Sequence, residues 1–172
     1  SPGGIDYFLT KPENVAVLDL EGNQIEGDKK PSSEYFMHRI FYRDRDDVGA
    51  VVHAHSTYSA TLAALHWEIE PIHYLIGYAG KNVRCAPYEL FGTEKLAKEA
   101  LEAMEDRNAC LLANHGLLAI GGTIEYAFDT AEEIEFVAEL YYKAKCVGEP
   151  IPLKSEEMDE FLEKFKPYGK KL

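Results

Sequence analysis

The chain has 172 residues, 46% of them hydrophobic, which suits one domain with a substantial core. Its 18 Lys and Arg stand against 30 Asp and Glu, a formal net charge of −12 that opposes general binding to a phosphate backbone and excludes nucleic acid as an expected partner. No apolar stretch approaches the roughly 20 residues needed to span a bilayer, the first residues do not read as a signal peptide, and three scattered cysteines form no Cys-x-x-Cys pair, so the expected setting is the cytoplasm, away from membranes.

Val15 to Leu20 is β-rich and Glu21-Gly22-Asn23 supplies turn chemistry before Gln24-Ile25-Glu26, which predicts a hairpin. Pro31-Ser32-Ser33 offers a helix start, and Tyr35, Phe36, Ile40 and Phe41 give that helix an apolar face through about Arg43. Glu34 falls in its first turn, where a carboxylate commonly just complements the helix dipole. His38, four residues on, can pack in the core or hydrogen-bond Glu34. The run Arg43-Asp44-Arg45-Asp46-Asp47 reads as a solvated loop, after which Ala50 to His53 forms a strand and Ser56 caps a helix through Leu65. Gly92-Thr93 caps another helix to about Met104, whose Leu96, Ala97, Ala100 and Leu101 recur at helical spacing. Apolar runs from Ala109 to Ala113 and Leu117 to Ile120 flank His115-Gly116. Gly121-Gly122-Thr123 then introduces a long helix to near Gly148, whose many acids read as its solvated face, and Ser155-Glu156-Glu157 starts a short amphipathic helix through Lys166. No repeat or Gly/Ser-rich linker divides the chain.

Extended backbone sends alternate side chains to opposite faces, so His53 and His55 project together, about 7 Å apart at Cα, and both imidazoles can reach one ion. A His-x-His pair alone more often merely decorates a strand. His115, at the end of another apolar run, and Glu34, at a helix start, bring the set to three histidines and one carboxylate, a credible zinc site.

Lys30-Pro31-Ser32-Ser33-Glu34 with His38, Ala50-Val51-Val52-His53-Ala54-His55, Pro71-Ile72-His73-Tyr74, Cys85-Ala86-Pro87-Tyr88 and Asn114-His115-Gly116-Leu117 together resemble the L-fuculose-phosphate aldolases of the class II aldolase/adducin superfamily. The resemblance is collinear and runs from Ser1 to Gly169. It implies a three-layer α/β/α fold with a predominantly antiparallel central sheet, and a cyclic homotetramer with active sites between subunits. It assigns Zn2+ to His53, His55, His115 and Glu34, with Glu34 also the catalytic base. Phosphate binding falls to Gly3, Gly4, Ser32 and Ser33, which is chemically sensible because hydroxyls and amides at a helix start hold phosphate and glycines allow close approach. The alternative for Ser32-Ser33 is a helix cap alone, and Gly3 stands where the family often has a hydroxyl residue. Tyr74 would reach a neighbouring subunit's site to handle the proton on the aldehyde-derived oxygen, and Phe91, Phe165 and Tyr168 would line the aldehyde pocket. Apart from the resemblance, these four aromatics read as core or surface, and His66 and His73 as structural.

The activity so implied is zinc-dependent, reversible cleavage of a ketose 1-phosphate, with L-fuculose 1-phosphate foremost, into dihydroxyacetone phosphate and an aldehyde such as L-lactaldehyde. Zinc would act there as a Lewis acid, and a carboxylate ligand able to leave would serve as the base. A pentulose-phosphate 4-epimerase of the same superfamily typically carries aspartate where Glu34 stands, a sugar-phosphate dehydratase shares the metal logic, and a noncatalytic domain like the adducin head should have lost ligands that are all present here. Because Ser1-Pro2-Gly3-Gly4 resembles an internal phosphate-loop motif, the expectation is one class II aldolase-like domain over residues 1–172 that lacks an N-terminal segment, truncated or retained as a companion fragment.

Overall fold

The computed structural model describes residues 1–165. The first strands form the expected hairpin, β1 (Val17–Leu18) against β2 (Gln24–Glu26), closed where the Asp19 carboxylate accepts the Asn23 amide at 2.7 Å. After α1 (Tyr35–Asp44) the chain enters the central sheet through β3 (Ala50–Ala54) and leaves it through α2 (Thr57–Ala64). It returns through β4 (Arg84–Ala86), α3 (Glu94–Ala103), β5 (Ala109–Leu112), β6 (Gly116–Gly121) and the long α4 (Ile124–Val147), and closes with α5 (Ser155–Phe165). The Thr93 and Thr123 hydroxyls accept the Leu96 and Tyr126 amides at 3.2 Å, so both helix starts read from sequence are true N-caps.

The four sheet strands lie in the order β3-β6-β5-β4. The β3–β6 and β5–β6 pairs are antiparallel and β4–β5 is parallel, so the sheet is mixed and predominantly antiparallel. Strand alternation builds the layers. Ala109, Leu111, Leu117 and Ala119 face Leu62 and Ala63 of α2 and Ile134, Val137 and Ala138 of α4. Cys110, Leu112, Leu118 and Ile120 face Met37, Ile40 and Phe41 of α1 and Leu96, Ala97 and Ala100 of α3. The result is α/β/α in three layers. Val51 packs on the α1 side, and the period of two carries His53 to that same side, toward the start of α1.

Two readings need correction. The run from Arg43 to Asp47 is not simply a solvated loop: Arg43 and Asp44 finish α1, and the Arg45 guanidinium donates to the Met104 and Arg107 carbonyls at 2.9 and 2.7 Å, clasping the end of α3. The acids of α4 are not all a solvated face either, because Glu135 turns inward to the start of α2. No helix among the described residues is long and apolar enough to cross a membrane.

Candidate metal centre

His53 is held by strand register, opposite Leu118 of β6, and by its own ring, whose Nδ1 lies 2.9 Å from the Leu117 carbonyl oxygen. A bond from Nδ1 to a carbonyl fixes an imidazole so that Nε2 is presented as the ligand atom. His55 lies one residue beyond β3, at the strand-to-helix junction, and is exposed. His115 comes from the β5–β6 turn, where its amide donates to the Leu112 carbonyl at 3.0 Å and Asn114 adopts φ 53°. Asn tolerates this left-handed geometry better than most residues. Gly116 follows because no side chain fits: a Cβ there would lie 2.5 Å from the Ala54 carbonyl oxygen and 3.1 Å from the His55 ring. Its absence lets β6 approach the backbone beside His55 and brings His115 into reach.

Glu34 stands at the N-cap of α1, not in the first turn, and its carboxylate makes no capping bond. It turns instead to the histidines, with Oε2 2.8 Å from His53 Nε2 and 3.2 Å from His115 Nε2. His53 and His55 meet at 3.1 Å between their Nε2 atoms, and one ligand atom from each of the four residues falls within 4.8 Å of all the others. Glu34 is 9% exposed. Burial alone would raise its pKa, but hydrogen bonds from His115 and His53, with their charges, outweigh it and hold the carboxyl well below the usual range. His55 is displaced downward, by burial and by the neighbouring His53 and His115. Among the described residues Glu34 Oε1 is buried without a hydrogen-bonding partner. Three imidazole nitrogens, a carboxylate and an orphaned carboxylate oxygen fit a resident divalent ion of the zinc type, with the ligand number such ions take.

The cluster opens on a cleft of about 440 Å³ whose lining includes Ser32, Ser33, Tyr88, Glu89 and Phe91. Gly92, at φ 70°, lays this loop against Ser33, where a Cβ would lie 3.0 Å from the Ser33 carbonyl oxygen. Ser32 also lines a second depression of about 460 Å³ with Gly3 and Gly4. A short antiparallel bridge, Pro2 to Pro31, sets these segments side by side. The Ser32 hydroxyl accepts the Glu34 amide at 3.3 Å, so part of its role is that of a cap.

Tyr74 does not line the cleft. It opens the 3-10 turn Tyr74–Tyr78, half exposed, and packs on His73 and Phe161, while Phe165 stacks on Phe161 and meets Tyr78. Tyr74 and Phe165 thus belong to one aromatic cluster apart from Phe91, and Tyr168 lies outside the described residues. His73 accepts the Leu75 amide at 3.3 Å, the structural role expected of it. His38 is a packing histidine rather than a partner of Glu34: burial, first, and nearby positive charge push its pKa down to about 4, with Glu34 opposing. The partners of two supports, His66, read as structural, and Glu135, escaped the sequence reading. His66 bonds Asn114 Oδ1 at 2.6 Å and so steadies the turn that presents His115, and Glu135 grips the helix that follows His55. Acids and histidines of this kind carry no local signal, because their partners are 48 or more positions away.

Residues 1–142 match the family described as Class II Aldolase and Adducin N-terminal domain. Over 169 residues the chain is 55% identical to the 5-deoxy-D-ribulose 1-phosphate aldolase of Bacillus thuringiensis serovar kurstaki, covering 98% of this chain and 79% of that protein. It is 40% identical over 171 residues to the L-fuculose phosphate aldolase of Escherichia coli K12, again covering 98% of this chain and 79% of the relative. Among solved structures, an L-fuculose 1-phosphate aldolase matches with a TM-score of 0.95 at 48% identity, over 96% of this chain and 78% of that one.

Proposed function

Because this chain belongs to the family of class II aldolase and adducin N-terminal domains, we propose that it is a metal-dependent aldolase, a carbon–carbon lyase, cleaving ketose 1-phosphates that end in a methyl group. The reaction yields dihydroxyacetone phosphate and a short aldehyde. The observation that carries the reading is the convergence of His53, His55, His115 and Glu34, three of which, Glu34, His55 and His115, line a cleft together with Ser32 and Ser33. Of the two substrates named for the relatives, 5-deoxyribulose 1-phosphate takes precedence over L-fuculose 1-phosphate, since its aldolase is 55% identical against 40%. Each ends in a methyl group, and the apolar Phe91 on the cleft wall suits one.

A bound ion, Zn2+ in this proposal, supplies Lewis-acid stabilisation of negative charge developing on the substrate's carbonyl oxygen. The residues of the chain do the rest. Ser32 and Ser33, with the backbone at Gly3 and Gly4, hold the phosphate at one end of the cleft. In cleavage the hydroxyl beside the breaking bond gives up its proton to solvent by way of the Tyr74 hydroxyl of a neighbouring subunit, which accepts that proton as it releases its own, and the C3–C4 bond electrons pass toward the carbonyl. Glu34, a carboxylate at rest, takes up a proton from solvent and delivers it to C3, releasing dihydroxyacetone phosphate; in the synthetic direction the same carboxylate removes it. The separation of Tyr74 and Phe165 from the cleft within one chain supports a homotetramer whose sites are shared between subunits. The three free cysteines suit a cytoplasmic enzyme.

The test is an assay of the zinc-loaded protein on 5-deoxyribulose 1-phosphate, L-fuculose 1-phosphate and ribulose 1-phosphate, with products identified by mass. Dihydroxyacetone phosphate and the matching aldehyde are expected. An epimer or a dehydrated product in their place refutes the aldolase reading.

A further inference from the structure

The N-terminus of α2 is served by a residue from another helix. Ser56 is its N-cap, yet the Ser56 hydroxyl makes no capping bond and donates to Glu135 Oε2 at 2.8 Å. The Tyr58 amide donates to Glu135 Oε1 at 2.7 Å, and the Ser59 amide and hydroxyl donate to Oε2 at 2.9 and 2.7 Å. One carboxylate of α4 therefore accepts four hydrogen bonds, two from backbone amides and two from hydroxyls, of three residues in the first turn at the positive end of a helix, where an anion is favoured.

The residue immediately before this anchored segment is His55. Of the three imidazoles, His53 is fixed by ladder register and by the Leu117 carbonyl, and His115 by a closed turn. His55 lies past the end of β3, exposed, and among the described residues the hydrogen bond and ring contacts of its imidazole are with His53 and His115. Its direction is thus set by the backbone at the junction, and that backbone is held from its far side by Glu135.

We propose that Glu135 is a positioning residue of the metal centre: by gripping the first turn of α2 it fixes the peptide that aims His55 at the ion. The inference rests on the metal-site reading above. Glutamine at this position keeps the shape but offers one acceptor oxygen and one donor. If its oxygen takes the place of Oε2, its NH2 group faces the Tyr58 N–H donor to donor, and the first turn must shift. A purely structural role would instead weaken the α2–α4 contact without changing the affinity of the folded protein for metal.

Metal-free wild type, Glu135→Gln, Ser56→Ala and Val137→Ala are titrated with Zn2+ and with Co2+, whose visible spectrum reports ligand geometry, alongside thermal melting of the metal-free forms. Val137 is buried in the same α4 contact and serves as the control for stability alone. Expected are one bound ion in wild type, about tenfold or greater loss of affinity with an altered Co2+ spectrum in Glu135→Gln, and a loss of about threefold in Ser56→Ala. Val137→Ala should melt lower with its metal affinity unchanged. Wild-type affinity and spectrum in both Glu135→Gln and Ser56→Ala overturn the inference while leaving the aldolase reading intact; should Glu135→Gln fail to fold, Ser56→Ala alone decides. A wild type that binds neither ion overturns the metal site itself, and this inference with it.

Discussion

Glu34 reaches His53 Nε2 at 2.8 Å with one carboxylate oxygen and leaves the other buried and, among the described residues, unpartnered. A group used in this divided way can take part in holding an ion and still have an oxygen free for proton transfer. Glu34→Gln should therefore keep appreciable metal through three imidazoles, yet lose about a hundredfold or more in exchange of the dihydroxyacetone phosphate C3 proton with solvent deuterium, followed by NMR. His115→Ala removes one of the proposed imidazole ligands and should lose both metal and exchange. Undiminished exchange in Glu34→Gln removes it from the role of base.

Tyr74 belongs to an aromatic cluster away from the cleft, so its contribution is expected from a neighbouring subunit. Tyr74→Phe should slow carbon–carbon cleavage by at least tenfold while sparing proton exchange on dihydroxyacetone phosphate, which involves no aldehyde oxygen. Mixed oligomers of Tyr74→Phe and Glu34→Gln subunits should recover part of the cleavage activity, because some sites receive both intact residues. Equal losses of cleavage and exchange, or no recovery in verified mixed oligomers, would count against a shared site.

His38 has its pKa pushed down to about 4 from an ordinary 6.5. Between those values the unfolded chain binds a proton that the native state refuses, so stability rises with pH across this window and falls on acidification below about 6.5. Two and a half pH units correspond to at most about 3 kcal/mol, and partial exposure reduces this to the order of 2 kcal/mol. Urea unfolding of metal-free protein between these pH values should show the decline, and His38→Gln should flatten it. An unchanged slope in the variant would assign the acid sensitivity elsewhere.

Gly116 allows the backbone of β6 to pass within reach of Ala54 and His55. Gly116→Ala places a methyl group where the Ala54 carbonyl oxygen stands 2.5 Å away, so the strands must part. A destabilisation of about 1–3 kcal/mol is expected by denaturant titration, with weakened Zn2+ binding because His115 retreats from His55. Wild-type zinc affinity in a destabilised variant would show that the hairpin can move without carrying its histidine.

The sequence discloses the clustered side chains well because each sits where a local period or a local cap speaks for it. His53 and His55 follow from alternation in a β-rich run, and Thr93 and Thr123 from hydroxyls placed before helical periodicity. Strand β4 was not legible: three residues beginning with a charged Arg84 offer too short a pattern, and its strand character comes from parallel pairing with β5. Glu34 joins the histidine cluster but stands one step before the first turn in which local pattern puts it, because its carboxylate answers to histidines distant in sequence rather than to the helix end. Arg45, His66 and Glu135 are of the same kind. Their chemistry is visible in one dimension, but their partners are decided only when α3, the β5–β6 turn and α2 arrive beside them.

Helix α2 is only eight residues, about 12 Å long. Its first turn follows His55 directly and is gripped by Glu135, and beyond its last turn His66 binds Asn114, whose amide in turn donates to the Ala63 carbonyl at 3.0 Å. Two of the three imidazoles are therefore mounted on opposite ends of one short strut. Any fluctuation that unwinds it disturbs both mounts at once, so ion and helix should depart in a single cooperative event, and slow metal release becomes a clock for the local opening of this one element.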